Sequence, residues 1–315
     1  MAGHSSGTDT YYVPEQSPLA ICMATSVAVA ILGAAAGMNS LTYQEDGGNF
    51  AWYVLTAGLL GVLGTMYVWF STTIRENKAG MNSPQLKYSY VLGMKWFIFS
   101  EVMFFASFFG ALFYIRNLAA PWLAGEGANE LTGQLLWPGF EYDWPLLTTP
   151  QEAVGGVAGQ PTANTGIFPG AHEEMNPWHL PLINTILLVS SSVTCHFAHH
   201  ALKHDKRAPF NIWLGITLLL GFTFVYFQAV EYGEAYSHLG LTLNAGVYGS
   251  TFFILTGFHG FHVCMGAIML TVQWLRSVLK GDFSADDQFG FEASAWYWHF
   301  VDVVWLGLFF LVYII

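Results

Sequence analysis

Residues 91–115 read VLGMKWFIFSEVMFFASFFGALFYI. About 20 apolar residues at a helical rise of about 1.5 Å span the hydrocarbon of a bilayer, so this run predicts a membrane-crossing helix. One carboxylate, Glu101, sits well inside it. Inserting a charge there costs roughly 2.5–3.5 kcal/mol, so a retained acid has a use. On a helix Glu101 shares its face with Phe97, Ile98, Phe104, Phe105 and Phe108, an aromatic setting that favours the neutral acid. Ala106 with Gly110, and Ser107 with Ala111, are small residues four apart, the spacing that admits a neighbouring helix. Two readings stay open: a neutral acid bonded to that neighbour, and a protonatable group that moves protons.

The rest of the chain supports a membrane setting. Of its 315 residues 54% are hydrophobic, 17% aromatic and only 10% charged, and the mean hydropathy is +0.43. A soluble domain carries about 25% charged residues, so the composition describes a polytopic membrane protein. Cys22, Cys195 and Cys264 lie in apolar stretches without paired spacing and read as small hydrophobes. No Lys or Arg precedes Gln16, which argues against a signal-peptide n-region.

Seven spans follow in order, at about 18–38, 50–74, 86–116, 179–202, 210–232, 245–275 and 289–315. The first carries Gly33 and Gly37 in a GxxxG arrangement; the second carries Gly58, Gly61 and Gly64 and closes on Tyr67, Trp69, Arg75 and Glu76. The expected fold is therefore all-α, one polytopic bundle over residues 1–315. No internal repeat marks a secondary transporter. Between the third and fourth spans, residues 117–176 are rich in Gly, Pro, Thr and acids, too long for a simple connection.

Nine of the ten Lys and Arg fall in even-numbered loops, and Arg116 is the exception. The positive-inside rule then places the N-terminus in the cytoplasm and the C-terminus outside. The 117–176 loop is external and acidic, with Glu126, Glu130, Glu141, Asp143, Glu152, Glu173 and Glu174. Such a surface steers a basic soluble partner, or is simply solvated.

Histidines offer a competing class, a stand-alone membrane metalloenzyme. His196, His199 and His200 form an H-x-x-H-H box, and His259 with His262 an H-x-x-H pair. A di-iron site needs such boxes at one depth, and helical rise separates these two by roughly 20 Å. A haem held between His262 and His299 would have its ligands at somewhat different depths, and their immediate company argues for packing instead. His299 precedes Asp302 by three residues on one helical face, which predicts a local buried polar pair and a second membrane carboxyl. No phosphate loop, nucleophile triad or nucleotide fingerprint occurs.

Several motifs carry a family resemblance. GVYGSTFFILTGFHGFHV at 246–263 and FGFEASAWYWHFVDVVWL at 289–306 closely resemble subunit III of haem–copper cytochrome c oxidases. FSEVMFF at 99–105, MYVWFSTTIRE at 66–76 and AHH at 198–200 fit the same family in the same order. Two features depart from it. The 117–176 loop is longer than in mitochondrial relatives, and Asn82 and Ser83 stand where the family often has histidine. Seven spans, against five in related quinol-oxidase subunits, point to cytochrome c as the electron donor.

The resemblance implies an accessory subunit of a proton-pumping terminal oxidase in a bacterial cytoplasmic membrane. It implies partners in subunits I and II, which carry haem and copper, and no catalytic or metal residue here. Two helices plus five would hold structural phospholipids in a cleft and support proton uptake. By the same implication Trp69, Arg75 and Glu76, with Arg276 and Lys280, contact anionic phospholipid, and Glu101 and Asp302 are the buried membrane carboxyls. Basic side chains at a membrane edge attract anionic lipid by about 1 kcal/mol each.

Overall fold

The structure is a computed structural model that describes residues 16–43, 48–155, 169–285 and 287–315. No strand occurs among the described residues, and seven helices are long and apolar enough to cross a membrane. These are α1 (Leu19–Tyr43), α2 (Gly48–Lys78), α3 (Pro84–Tyr114), α7 (Leu180–Lys203), α8 (Arg207–Ser237), α9 (Gly246–Lys280) and α10 (Phe289–Leu308). The protein is thus an all-α, multi-pass membrane protein, as its hydropathy predicts. The short helices α4 (Ala120–Leu123), α5 (Glu130–Leu136) and α6 (Pro150–Ala153) fall in the acidic loop. Two segments of wider helical pitch, Ile115–Ala119 and Phe309–Ile314, prolong α3 and α10.

The chain divides into two compact units, Met1–Leu92 and Gly93–Ile315. Glycine explains the self-sufficiency of the first. A Cβ at Gly33 would stand 2.3 Å from the Leu55 nitrogen, and one at Gly58 would stand 2.4 Å from that of Ala30. Backbone therefore meets backbone along the α1–α2 seam, the close approach that substitutes for a hydrophobic driving force between helices in lipid. At the turn into α3, Ser83 Oγ accepts from the Leu86 amide at 3.2 Å, and Asn82 Nδ2 donates to Asn77 Oδ1 at 2.9 Å. The two residues that depart from the family pattern thus close this turn and cap α3.

In the second unit α10 is the most enclosed helix, packed against α7 and α9, with Trp298 and Trp305 fully buried. Room for the Trp298 ring comes from two glycines: a Cβ at Gly221 of α8 would lie 2.7 Å from it, and one at Gly266 of α9 would lie 2.9 Å away. Both indoles find acceptors on α7: Trp298 Nε1 donates to Ser191 Oγ at 3.0 Å, and Trp305 Nε1 to Thr185 Oγ1 at 2.9 Å. Buried indole N–H groups need such partners. The part of α3 within this unit joins through aromatic contacts, Phe104 on Phe258 and Phe105 on Phe300.

Candidate functional site

Glu101 lies where α3 faces α9. Its Oε2 is 2.8 Å from His262 Nε2, with 22% of the glutamate side chain exposed and 9% of the histidine. His262 Nδ1 is 2.6 Å from the Phe258 carbonyl, which can only accept, so Nδ1 carries a hydrogen. One proton then lies between Nε2 and Oε2, either on a glutamic acid facing a neutral imidazole or on an imidazolium facing a carboxylate. Both arrangements are neutral overall, so the pair satisfies an expensive acid without leaving a net charge in the membrane. Phe104, Phe105 and Tyr297 surround the imidazole.

The second candidate carboxyl, Asp302, is 7% exposed on α10. The spacing predicts a local bond to His299, but His299 Nδ1 instead meets Ser192 Oγ of α7 at 2.5 Å. An adjacent helix offers a hydroxyl at better range than the next turn of the same helix does. Asp302 lies near the same serine, and its Oδ1 has no hydrogen-bond partner.

The histidine boxes do not converge. His199 Nε2 pairs with Glu292 Oε1 of α10 at 3.0 Å, while the ring of His200 approaches that of His204 at 4.4 Å. His259 Nε2 donates to the Val301 carbonyl of α10 at 3.1 Å, whereas His262 turns to α3. Three residues along a helix rotate the side chain by about 300°, enough to aim neighbours in one box at different helices. Among the described residues no group of three His, Cys, Asp or Glu is placed to hold a metal ion.

Sequence reasoning missed a third buried acid. Glu231 is fully buried in α8, and its Oε1 accepts from Tyr313 Oη at 2.6 Å. Asn184 and Gln228, both buried, flank the pair. The fifth span was expected to close near Tyr232, which would put Glu231 at headgroup level, but α8 runs on to Ser237.

The expected lipid contacts separate into two kinds. Trp69 is 47% exposed, and Arg75 is exposed with Nη2 donating one turn back to Thr72 Oγ1 at 3.1 Å. Glu76 is half-buried and Lys280 exposed. Arg276, in contrast, is turned inward. α9 stops at Gly281, whose left-handed φ of 64° reverses the chain and returns Asp282 to the guanidinium. Arg276 Nε donates to Asp282 Oδ2 at 3.1 Å and Nη1 to Gln273 Oε1 at 3.0 Å, and the group lies over the Phe283 ring.

In the 117–176 loop two of the seven acids are committed to the fold. Glu152 Oε2 accepts from the amides of Thr149 at 2.9 Å and Gly170 at 3.0 Å, completing a capping box on α6. Glu130 accepts from Gln134 at 2.9 Å. Tyr142 Oη donates to the Arg116 carbonyl at 2.6 Å, and the Arg116 guanidinium lies over Trp144. Burial raises the Tyr142 hydroxyl above its ordinary pKa, a shift that the nearby Arg116 charge opposes. Residues 156–168 of the loop lie outside those described.

A family profile described as cytochrome c oxidase subunit III matches residues 9–128 and 157–315. The interval left out, 129–156, holds α5 and α6, so the extra loop length falls there. Curated relatives named cytochrome c oxidase subunit 3 align over 82% of this chain and 83% of their own length. Those of Tetraodon nigroviridis, Hippopotamus amphibius and Mus musculus are 39%, 40% and 41% identical over 261 residues. The matched residues include both ends of the Glu101–His262 bond and the whole of α7 to α10, and the chain belongs to the cytochrome c oxidase subunit III family.

Proposed function

We propose that this chain serves its oxidase as a metal-free packing and lipid-holding subunit. It is an accessory subunit of a cytochrome c oxidase, an oxidoreductase complex of the electron transport chain. The observation that carries the metal-free part of the reading is the divergence of the interior imidazoles. His199, His259, His262 and His299 are each hydrogen-bonded to a protein group on another helix. One hydrogen-bonded nitrogen does not bar the other from a metal, but a haem or copper centre needs donors converging on one point, and among the described residues no group of three His, Cys, Asp or Glu does so. The redox chemistry then belongs to subunits I and II, with cytochrome c as donor to the complex.

Lipid holding rests on Trp69, Arg75, Glu76 and Lys280, aromatic and charged side chains near helix ends. The membrane we assign is a bacterial inner membrane, and the charge asymmetry of the loops supports a cytoplasmic N-terminus there, with the acidic loop outside. Among the described residues the stand-alone metalloenzyme has no donor set in its favour. Purification in mild detergent should recover this chain with larger haem-bearing subunits. After those are stripped, the isolated chain should show no Soret band and no stoichiometric iron or copper. A Soret band that persists in the isolated chain and vanishes in His262→Ala would overturn the proposal.

A further inference from the structure

The α7–α8 hairpin ends in a pocket that the lipid assignments above do not use. It has a volume of about 280 Å³ and is lined on one side by His200, His204 and Lys206 and on the other by Phe197, Pro209 and Trp213. The polar wall is basic. His204 Nδ1 donates to the His200 carbonyl at 2.9 Å, which fixes its ring and leaves Nε2 as the open nitrogen, one that donates to an anion when the ring is protonated. Lys206 is exposed at the start of α8, and Lys203 and Arg207 stand on either side of the turn. No carboxylate lines the pocket. The one acid of the turn, Asp205, is drawn off by the α9–α10 connection, where its Oδ1 accepts from the Ala285 amide at 2.8 Å. Arg207 Nη2 anchors to the Phe283 carbonyl of the same connection at 3.0 Å. The turn is thus held from two sides, and Lys206 is left as the cation that lines the pocket.

The apolar wall continues into the membrane. Phe197 packs on Trp213 at 5.1 Å between ring centroids, and one turn deeper on α7 Val193 is 49% exposed. A ligand that fits both walls has an anionic head and a hydrocarbon tail. We propose that this pocket binds the phosphate headgroup of an anionic phospholipid, with an acyl chain along Phe197 and Trp213. Histidines four apart on a helix also grip divalent metals, but Lys206 and the missing carboxylate set the local charge against a cation. Free phosphate shares the head chemistry and leaves the apolar wall unused. The site is separate from Arg75 and does not depend on lipid binding there.

The test uses the purified oxidase complex, delipidated and then exposed to nanodiscs of phosphatidylglycerol or phosphatidylcholine, with retained lipid counted by native mass spectrometry. Wild type should retain one more phosphatidylglycerol per chain than Lys206→Gln/His204→Gln, with no difference for phosphatidylcholine. Lys206→Gln alone should weaken retention about fivefold, the equivalent of about 1 kcal/mol for one basic residue at the surface. Arg75→Ala should leave this lipid in place, which separates the two sites. The changed side chains are exposed, and an unaltered haem spectrum and subunit content check assembly. Equal phosphatidylglycerol counts in wild type and the double variant would overturn the proposal. So would displacement of the lipid by millimolar inorganic phosphate, which would make the ligand a free anion. Stoichiometric zinc that is lost in His204→Gln and kept in Lys206→Gln would overturn it in favour of a metal.

Discussion

Glu101 and His262 are 161 residues apart in the chain and 2.8 Å apart in space. With Nδ1–H of the imidazole committed to the Phe258 carbonyl, they share one proton in a neutral couple that fastens α3 to α9. The couple is an anchor first, because moving its proton away would leave a net charge among Phe104, Phe105 and Tyr297. Glu101→Gln keeps a donor for His262 Nε2 and should leave turnover and proton pumping near wild type. Glu101→Ala strands the imidazole nitrogen, costs about 1–3 kcal/mol, and should shorten the functional lifetime of the oxidase. Proton-to-electron stoichiometry and activity decay in reconstituted vesicles measure both. Loss of pumping in the Gln variant while oxygen reduction continues would make Glu101 a relay.

The α1–α2 seam makes a prediction that the rest of the first unit does not share. Gly58→Ala places a methyl group 2.4 Å from the Ala30 nitrogen and should cost about 1–3 kcal/mol. Gly64→Ala, with nothing within 4 Å, should be neutral or slightly stabilising. Thermal inactivation of the complex and protease cleavage between the two helices distinguish the variants. Equal melting would mean that the seam opens without cost.

Arg75 and Arg276 should behave differently although both lie near helix ends. Arg75→Ala should weaken retention of anionic phospholipid about fivefold, by about 1 kcal/mol. Arg276→Ala should leave lipid content unchanged and destabilise the α9–α10 turn, because Asp282 at 5% side-chain exposure loses its counter-charge. Lipid extraction and thermal melts of the two variants check this. A wild-type lipid count in Arg75→Ala would reduce Arg75 to a topology signal.

The acidic loop offers steering that salt should abolish. Replacing Glu126, Glu130, Glu141 and Asp143 with the amides should slow association with a basic cytochrome c about tenfold at low ionic strength. It should change little at 0.15 M, where charges more than about 8 Å apart are screened. Glu152→Gln should leave the rate alone and loosen the loop by about 1 kcal/mol, because that carboxylate caps α6. Stopped-flow rates across a salt series provide the measurement, and an unchanged low-salt rate in the quadruple variant would leave the loop without this role.

The spans were legible because hydropathy is additive along the chain, and a 20-residue apolar run needs no knowledge of its neighbours. Glu101 was legible for the same reason, as a charge out of place. Its partner was not, since the register that brings His262 opposite it is set by packing between α3 and α9. The same limit misdirected His299, whose predicted partner was Asp302 and whose actual partner is Ser192 on another helix. Glu231 was lost to a boundary error of about one turn. Glu152 was a different kind of miss: Thr149 and Glu152 already spell the T-x-x-E of a capping box, and counting the loop's acids as a surface obscured it. Arg276 could not be told from Arg75 without the turn at Gly281.

Trp298 sits in a slot cut by Gly221 and Gly266, two residues that leave the ribosome well before it. Before α10 is in place α7 and α8 already pack on each other, with Thr194 bonded to Thr217, but Thr185 and Ser191, held by carbonyls of their own helix, lack the indoles that bond to them. The packing of the second unit is therefore completed by its last segment. A chain that stops short of Phe289 leaves the slot between Gly221 and Gly266 unfilled. Through one indole ring the C-terminal helix thus meets all three of the helices that immediately precede it.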